Sequence, residues 1–305
     1  MHSHSGHSYS HTHAHTQLAS VNRSFVIAVS ANLAYAIIEA VYGFLANSVS
    51  LLGDAGHNLS DVLGLLLAWG AAYLATQQSS ALYSYGYRKS TILAAVINAV
   101  VLILMAGFIA FESIEKIIRP SAISTVTVIV VACVGVVINA GTALLFIRGG
   151  KDDLNLRGAF LHLAYDAAIS AGVVIGAVII LFTGWLWIDS ALGLFIVAVI
   201  LGGTWGLLRD SVSLLIDAVP QSVEQDKVRQ YLENIEGVTG IHDLHIWAMS
   251  TNENGLTAHL VMPENTLWDS ESGYATISAE LASRYNIHHV TLQVEKDPEC
   301  PTDCD

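Results

Sequence analysis

The sequence is poor in charged residues. Of its 305 residues, 13% are Asp, Glu, Lys or Arg and 53% are hydrophobic, whereas a typical soluble domain carries about 25% charged residues. We therefore expect much of the surface to face lipid. The shortage is uneven, because more than half of the acidic residues lie between Asp217 and Asp305. The first two-thirds is strongly apolar, and the last third has the composition of an acidic soluble domain.

Basic residues and cysteines are also scarce. The net charge is −13, which makes nucleic acid a poor partner and suits a protein that handles cations. Three cysteines, Cys133, Cys300 and Cys304, provide no disulfide framework, and we expect the last two to lie in a reducing compartment. No His-Glu-x-x-His sequence and no nucleophile motif occurs, so we do not expect an enzyme.

Six apolar stretches are long enough to cross a bilayer, whose core of about 30 Å needs about 20 helical residues. They are apolar nearly all round, whereas the helices of a soluble bundle have a polar face. They cover residues 24–46, 54–77, 90–112, 123–148, 157–183 and 186–208.

The basic residues between the spans predict the orientation, since cytoplasmic loops are rich in Lys and Arg. One side has Lys116 and Arg119 only. The other, which we expect to be cytoplasmic together with both termini, has seven: Arg23, Arg88, Lys89, Arg148, Lys151, Arg157 and Arg209.

The remaining sequence divides into a tail, a linker and a small domain. Residues 1–20 contain six histidines, His2, His4, His7, His11, His13 and His15; they form either a plain disordered polar tail or a weak metal-capturing one. We take 21–208 as the membrane domain, 209–220 as a linker, and 221–305 as a cytosolic domain. Within the last, helices at 223–235 and 268–285 and strands at 241–249, 256–262 and 289–295 predict an α+β sandwich.

Two intramembrane motifs share one spacing: His57-x-x-x-Asp61 and His162-x-x-x-Asp166. Residues i and i+4 lie on one face of a helix, and ionisable groups inside a bilayer cost about 2.5–3.5 kcal/mol each on insertion scales. Two such helices supply two nitrogens and two oxygens, which suit tetrahedral Zn²⁺. Mg²⁺ and Ca²⁺ prefer more oxygens, copper(I) prefers sulfur, and manganese stays open.

The predicted helix limits bring the two aspartates close to the midplane but leave the two histidines apart. A shift of each span by about three residues, within the usual error of such limits, sets His57 level with Asp166 and Asp61 level with His162. Asp54, one turn before His57, either caps the second helix or guides cations. We interpret Glu39, Asn58, Asn98 and Asn139 as interhelical hydrogen-bonding residues.

Four stretches resemble signatures of the cation diffusion facilitator family, in its zinc-transporting branch: residues 45–61 (LANSVSLLGDAGHNLSD), 85–89 (YGYRK), 162–166 (HLAYD) and 242–247 (HDLHIW). The resemblance implies six transmembrane helices with a cytosolic ferredoxin-like domain. It also implies a homodimer in a bacterial inner membrane that exports Zn²⁺ from the cytoplasm in exchange for protons. The chain lacks the histidine-rich insert between helices 4 and 5 that many eukaryotic members have.

The resemblance also implies a regulatory metal set of His259, His288 and Glu295. His242, Cys300 and Cys304 are further candidates for that set, although the spacing of these residues alone does not identify a site. We expect no resident cofactor, since zinc enters as transported substrate and as a regulatory ligand. Two alternatives stay open: a membrane metal sensor and a membrane metalloenzyme, neither of which would transport metal.

Overall fold

The structure is a computed structural model that describes residues 23–147, 154–263 and 271–296. In these ranges six long helices are followed by a small domain. The helices are α1 (Arg23–Leu45), α2 (Val49–Ala75), α3 (Ser90–Ile118), α4 (Thr125–Ile147), α5 (Leu154–Thr183) and α6 (Trp187–Leu215). The domain comprises α7 (Gln225–Glu233), β1 (Gly240–Ala248), β2 (Asn254–Val261), α8 (Glu271–Tyr285) and β3 (Ile287–Glu295).

Helices α2 to α6 are each long and apolar enough to cross a membrane, and the described side chains of α1 form a shorter apolar segment, Val29–Leu45. Large apolar side chains such as Phe44, Leu104 and Phe182 lie on their outer surfaces, 69–83% exposed. Such a surface is stable only against lipid or protein. The predicted architecture of six membrane helices with a ferredoxin-like domain is confirmed.

The helices pack in two groups that share α2. In one group α1 packs on α2 and α4, and α4 packs on α5; in the other, α3 packs on α6 and α2. At Gly135 of α4, a Cβ atom would collide with the Tyr35 hydroxyl and ring of α1. The small residue thus allows the buried Tyr35 hydroxyl to lie 3.3 Å from the Val131 carbonyl oxygen. Small residues allow such close contacts in membrane helices.

Helix α2 begins at Val49, five residues before the predicted start at residue 54. Ser48 is its N-cap, with Oγ accepting a hydrogen bond from the Leu51 amide at 3.2 Å. Asp189 of α6 reinforces this end: it accepts hydrogen bonds from the Ser48 hydroxyl (2.5 Å), the Val49 amide (2.7 Å) and Ser50. Capping by Asp54 is thereby excluded, because Asp54 lies inside the helix.

The C-terminal domain is a three-stranded sheet in the order β1-β2-β3, with β1 antiparallel and β3 parallel to β2. Apolar side chains of α7 and α8, such as Val228, Leu232 and Leu281, are buried against one core with Leu256 and Ile287 of the sheet. A parallel β2–β3 pair needs a crossover connection, and α8 lies in that connection. The predicted elements of this domain agree with the observed ones to within a few residues.

The domain contacts one end of the helical bundle. Arg88, in the α2–α3 loop, forms an ion pair of 2.8 Å with Glu253 of the β1–β2 turn. Lys89 forms another, of 2.6 Å, with Asp217 just after α6. The Thr251 amide donates to Thr91 Oγ1 at 3.1 Å. The basic α2–α3 loop therefore lies on the same side as the C-terminal domain.

The predicted domain limits stay predictions. Helix α6 continues to Leu215, so the linker that follows it is shorter than the predicted 209–220. The histidine-rich tail, 1–20, lies outside the described residues, as do Cys300 and Cys304.

Candidate metal centre

The four residues of the paired motif lie together between α2 and α5. His57 Nε2 is 3.4 Å from Asp166 Oδ1, and His162 Nε2 is 3.2 Å from Asp61 Oδ2. Within each helix the histidine and aspartate are 3.7 Å apart. Each histidine is thus nearer to the aspartate of the other helix than to its own. This is the cross-helix arrangement that a shift of the predicted spans required, and the earlier observed starts of α2 and α5 provide it.

Four of the six separations among these residues are close to those expected around one tetrahedral ion. Atoms held about 2.1 Å from a zinc ion at tetrahedral angles lie about 3.4 Å from each other, and the four distances are 3.2–3.7 Å. Ligand atoms of His57, Asp61 and Asp166 all lie within 4.8 Å of one another. His162 contacts both aspartates but stands farther from His57, with 6.2 Å between ring centroids.

Three of the ligand atoms form no hydrogen bond in the described part of the chain. His57 Nε2, Asp61 Oδ2 and Asp166 Oδ1 are buried without a hydrogen-bond partner, although buried polar atoms are normally satisfied. The burial is graded: the Asp166 side chain is 4% exposed and that of His162 is 49% exposed. The site is therefore enclosed by Asp166 and open at His162, which gives a small ion an entrance.

A pair of buried carboxylates next to this centre was not assigned together from sequence. Glu39 of α1 accepts hydrogen bonds from Tyr35 OH (2.6 Å) and from Asn58 Nδ2 (3.1 Å) of α2, so its interhelical role is observed. Asp54 Oδ2 accepts from Ser170 Oγ of α5 at 2.6 Å. Asp54 has no exposed surface. The sequence offered one indication that Asp54 lies near the metal centre: it precedes His57 by three residues, which puts both on one face of α2.

A second cluster lies at one end of the C-terminal sheet. His242 Nε2 is 2.9 Å from Glu295 Oε2, and His259 Nδ1 is 3.0 Å from Glu295 Oε1. The antiparallel register sets His242 directly opposite His259, and the parallel register ends with Val261 opposite Glu295. These three residues form a group able to hold a metal ion.

The environment of Glu295 favours its ionised form. Desolvation raises the pKa of Glu295, but hydrogen bonds from Gln293 and His242 and the charges of His242 and His259 outweigh it, and the pKa lies below its ordinary value. The charged form of Glu295 is thus favoured. Asp243, which the sequence reasoning missed, lies 3.4 Å from His259 Nε2 and has a positive φ of 53° at the β-bulge.

His288 lies away from this cluster in the chain, and its predicted place in the regulatory set stays a prediction. It precedes Glu295 by seven residues in β3, which is about 23 Å at about 3.3 Å per residue. Its Nε2 instead lies 2.9 Å from Asn286 Oδ1. Cys300 and Cys304 lie outside the described residues, so their predicted participation stays a prediction.

Comparison with known proteins agrees with this architecture. The family model of the cation efflux transmembrane domain matches residues 25–216, and that of the cation efflux protein cytoplasmic domain matches residues 220–297.

Curated relatives cover nearly the whole chain. A cadmium, cobalt and zinc/H⁺-K⁺ antiporter of Bacillus subtilis is 36% identical over 266 residues, covering 86% of this chain and 85% of its own. The metal cation efflux system protein CzcD of Cupriavidus metallidurans is 34% identical over 294 residues (96% and 90%). The zinc transporter ZitB of Escherichia coli is 32% identical over 301 residues (98% and 95%). The chain belongs to the cation efflux family, the cation diffusion facilitators that its motifs resemble.

Proposed function

We propose that this protein exports a divalent metal cation, principally Zn²⁺, from the cytoplasm in exchange for protons. The observation that carries the proposal is the set of two imidazoles and two carboxylates between α2 and α5, with separations of 3.2–3.7 Å. The named activities of the relatives, zinc, cadmium and cobalt transport and antiport with H⁺, agree with it. The metalloenzyme alternative is excluded, because the family and the relatives are transporters.

The ligand chemistry supports the exchange. Histidine binds metal when neutral and aspartate when ionised, so metal loading releases protons from any protonated ligand. When the site opens to the more acidic side, protons compete with the metal for the same four side chains. We therefore expect zinc flux in proteoliposomes to respond to an imposed proton gradient. Flux that is unchanged when the gradient is collapsed would contradict the antiport.

The contacts of the C-terminal domain support a cytoplasmic location for that domain. The ion pair of Arg88 and Glu253 joins that domain to the basic α2–α3 loop, and basic loops stay on the cytoplasmic side. We therefore assign the domain and both termini to the cytoplasm, in a bacterial inner membrane. We also propose a homodimer. Accessibility to a membrane-impermeant thiol reagent tests the orientation in intact cells, with a cysteine introduced at Glu253 in a background that carries Cys133→Ser, Cys300→Ser and Cys304→Ser. We expect no labelling of this cysteine until the membrane is permeabilised.

The cluster of His242, His259 and Glu295 is our candidate for a cytosolic regulatory zinc site. It lies in the soluble domain, outside the membrane pathway, so metal bound there is not in transit. We expect Glu295→Gln to reduce the response of the transport rate to cytosolic zinc and to leave proton coupling intact.

The decisive test is metal uptake into inside-out vesicles by the unaltered protein, Asp61→Ala and Asp166→Ala, with Glu112→Gln as a control carboxylate in α3. We expect loss of uptake in the first two variants and normal uptake in the control. A sensor without transport predicts zinc binding with no flux in any of them. Normal uptake by Asp61→Ala and Asp166→Ala together would refute the site.

A further inference from the structure

Glu39 of α1 and Asp54 of α2 form a second carboxylate pair in the membrane domain. Both side chains have no exposed surface. Asn58, which donates to Glu39, follows Asp54 by one turn on the same face of α2, so the two carboxyl groups lie on the same side of that helix. Neither residue belongs to the metal-binding groups found among the described residues. Asp54 precedes His57 by one turn of α2, so the pair adjoins the metal centre without being part of it.

The hydrogen-bond donors around the pair leave one oxygen unsatisfied. Tyr35 and Asn58 each donate to one oxygen of Glu39, and Ser170 donates to Asp54 Oδ2. Asp54 Oδ1 is buried and receives no hydrogen bond from the described part of the chain. All three donors are neutral. Two ionised carboxylates buried near each other would repel each other and would be poorly solvated, unless one of them carries a proton.

No basic side chain can neutralise the pair from the neighbouring spans. The sequence has no Lys or Arg in residues 24–87, 90–115, 120–147 and 158–208, which include most of α1 to α6. The titratable groups near the pair are Tyr35 of α1, His57 of α2 and Asp166 of α5, with Cys133 of α4 near Tyr35. Of these only His57 can be cationic, and its Nε2 is directed at Asp61 and Asp166.

We propose that Glu39 and Asp54 share one proton and form a proton-binding site separate from the four metal ligands. A proton between the two carboxyl groups gives Asp54 Oδ1 the donor it lacks and removes one of two buried charges. This part of the proposal rests on the buried pair alone.

The site is placed to sense the metal. Ser170, which donates to Asp54, follows Asp166 by one turn of α5, so a cation at Asp166 acts on the pair through space across a low-dielectric region. Arrival of the metal favours the fully ionised pair and expels its proton, and departure of the metal favours its return. By linkage the effect is reciprocal. This coupling, unlike the shared proton, rests on the proposed export function.

Infrared difference spectroscopy of the full-length protein in lipid tests the shared proton. At neutral pH and without metal, we expect a protonated-carboxyl band that is absent in Glu39→Gln and in Asp54→Asn and persists in Glu112→Gln. Zinc should remove the band from the unaltered protein. Absence of the band, or a band unchanged in both variants, would overturn the proposal. Loss of the band on adding potassium alone would assign the pair to a hard cation instead, and would also overturn it.

Calorimetric zinc titration in buffers of different ionisation enthalpy tests the coupling. We expect Glu39→Gln to release about one proton fewer per zinc ion than the unaltered protein, while Glu112→Gln releases the same number. An unchanged proton count in Glu39→Gln, together with loss of flux in Asp61→Ala, would leave the export function standing and refute the coupling. Normal flux in both Asp61→Ala and Asp166→Ala would instead refute the metal centre. The infrared band would still show whether Glu39 and Asp54 share a proton.

Discussion

Asp166→Asn should weaken zinc binding more than any other single isosteric change in the membrane domain. Asp166 is the least exposed of the four ligands, and its two oxygens face different histidines: Oδ1 is 3.4 Å from His57 Nε2 and Oδ2 is 3.7 Å from His162 Nε2. Asparagine keeps the shape of the side chain. It removes the negative charge and replaces one oxygen with a nitrogen that cannot bind a cation.

The size of the effect follows from the ligand count. Four-ligand zinc sites bind with about 10–16 kcal/mol at neutral pH, which is about 2.5–4 kcal/mol for each ligand. Since about 1.4 kcal/mol corresponds to a factor of ten, loss of one ligand weakens binding about 10²–10³-fold. The upper end is expected here, because the bound ion also loses half of its compensating negative charge in a buried site.

The assay is competition with a chromophoric chelator, on protein in lipid nanodiscs. All proteins carry Glu295→Gln, so that the cytosolic cluster does not contribute to the measured affinity. Glu112→Gln is the matched control and should bind zinc as tightly as the parent. Binding by Asp166→Asn within about threefold of the parent, when the calculation requires about 10²-fold or more, would refute the role of Asp166 as a ligand.

Three further changes test other contacts. Asp189→Ala removes the hydrogen bonds that hold the start of α2; we expect a loss of about 2–3 kcal/mol and, by thermal unfolding, a melting temperature lower by about 4–12 °C. Glu253→Gln breaks a half-exposed ion pair with Arg88; we expect stability to change by less than about 1 kcal/mol, with faster hydrogen exchange in the α2–α3 loop. The lowered pKa of Glu295 means that its contribution to stability is present above the ordinary Glu pKa, about 4.3, and is lost as the pH falls. Glu295→Gln should therefore flatten the acid limb of an unfolding titration followed by fluorescence, and an unchanged limb would contradict this.

The composition and the paired motif predicted most of the fold and the centre of the site. Hydrophobic length identified the spans, and i, i+4 spacing put each histidine and aspartate on one helix face. The start of α2 was harder to predict. Buried carboxylates are rare in this sequence, so the predicted helix begins at Asp54. Only the contacts made by Ser48 and Asp189, which are 141 residues apart, show that the helix starts earlier.

The cytosolic cluster could not be predicted from sequence spacing. Its members come from three strands, and strand register decides which of them meet. The family resemblance grouped His288 with Glu295, whereas the two lie at opposite ends of β3. The bulge after His242, where the backbone of Asp243 adopts a positive φ, sets Asp243 beside His259, and no local pattern predicted that irregularity.

The buried carboxylates of the membrane domain are neutralised in three different ways, because Lys and Arg are absent from nearly all of the spans. Asp189 receives backbone and hydroxyl hydrogen bonds at the start of α2 and lies near Lys116 at the end of α3, an arrangement that is structural. Asp61 and Asp166 face histidines, whose charge changes with protons or metal. Glu39 and Asp54 accept hydrogen bonds only from neutral donors, so a proton that can leave is needed to balance their negative charge. The hydrogen bonds of Asp189 hold the start of α2 and need no proton or metal ion. The other two carboxylate pairs can gain and lose protons, so we expect the exchange of metal for protons to involve four carboxylates rather than two.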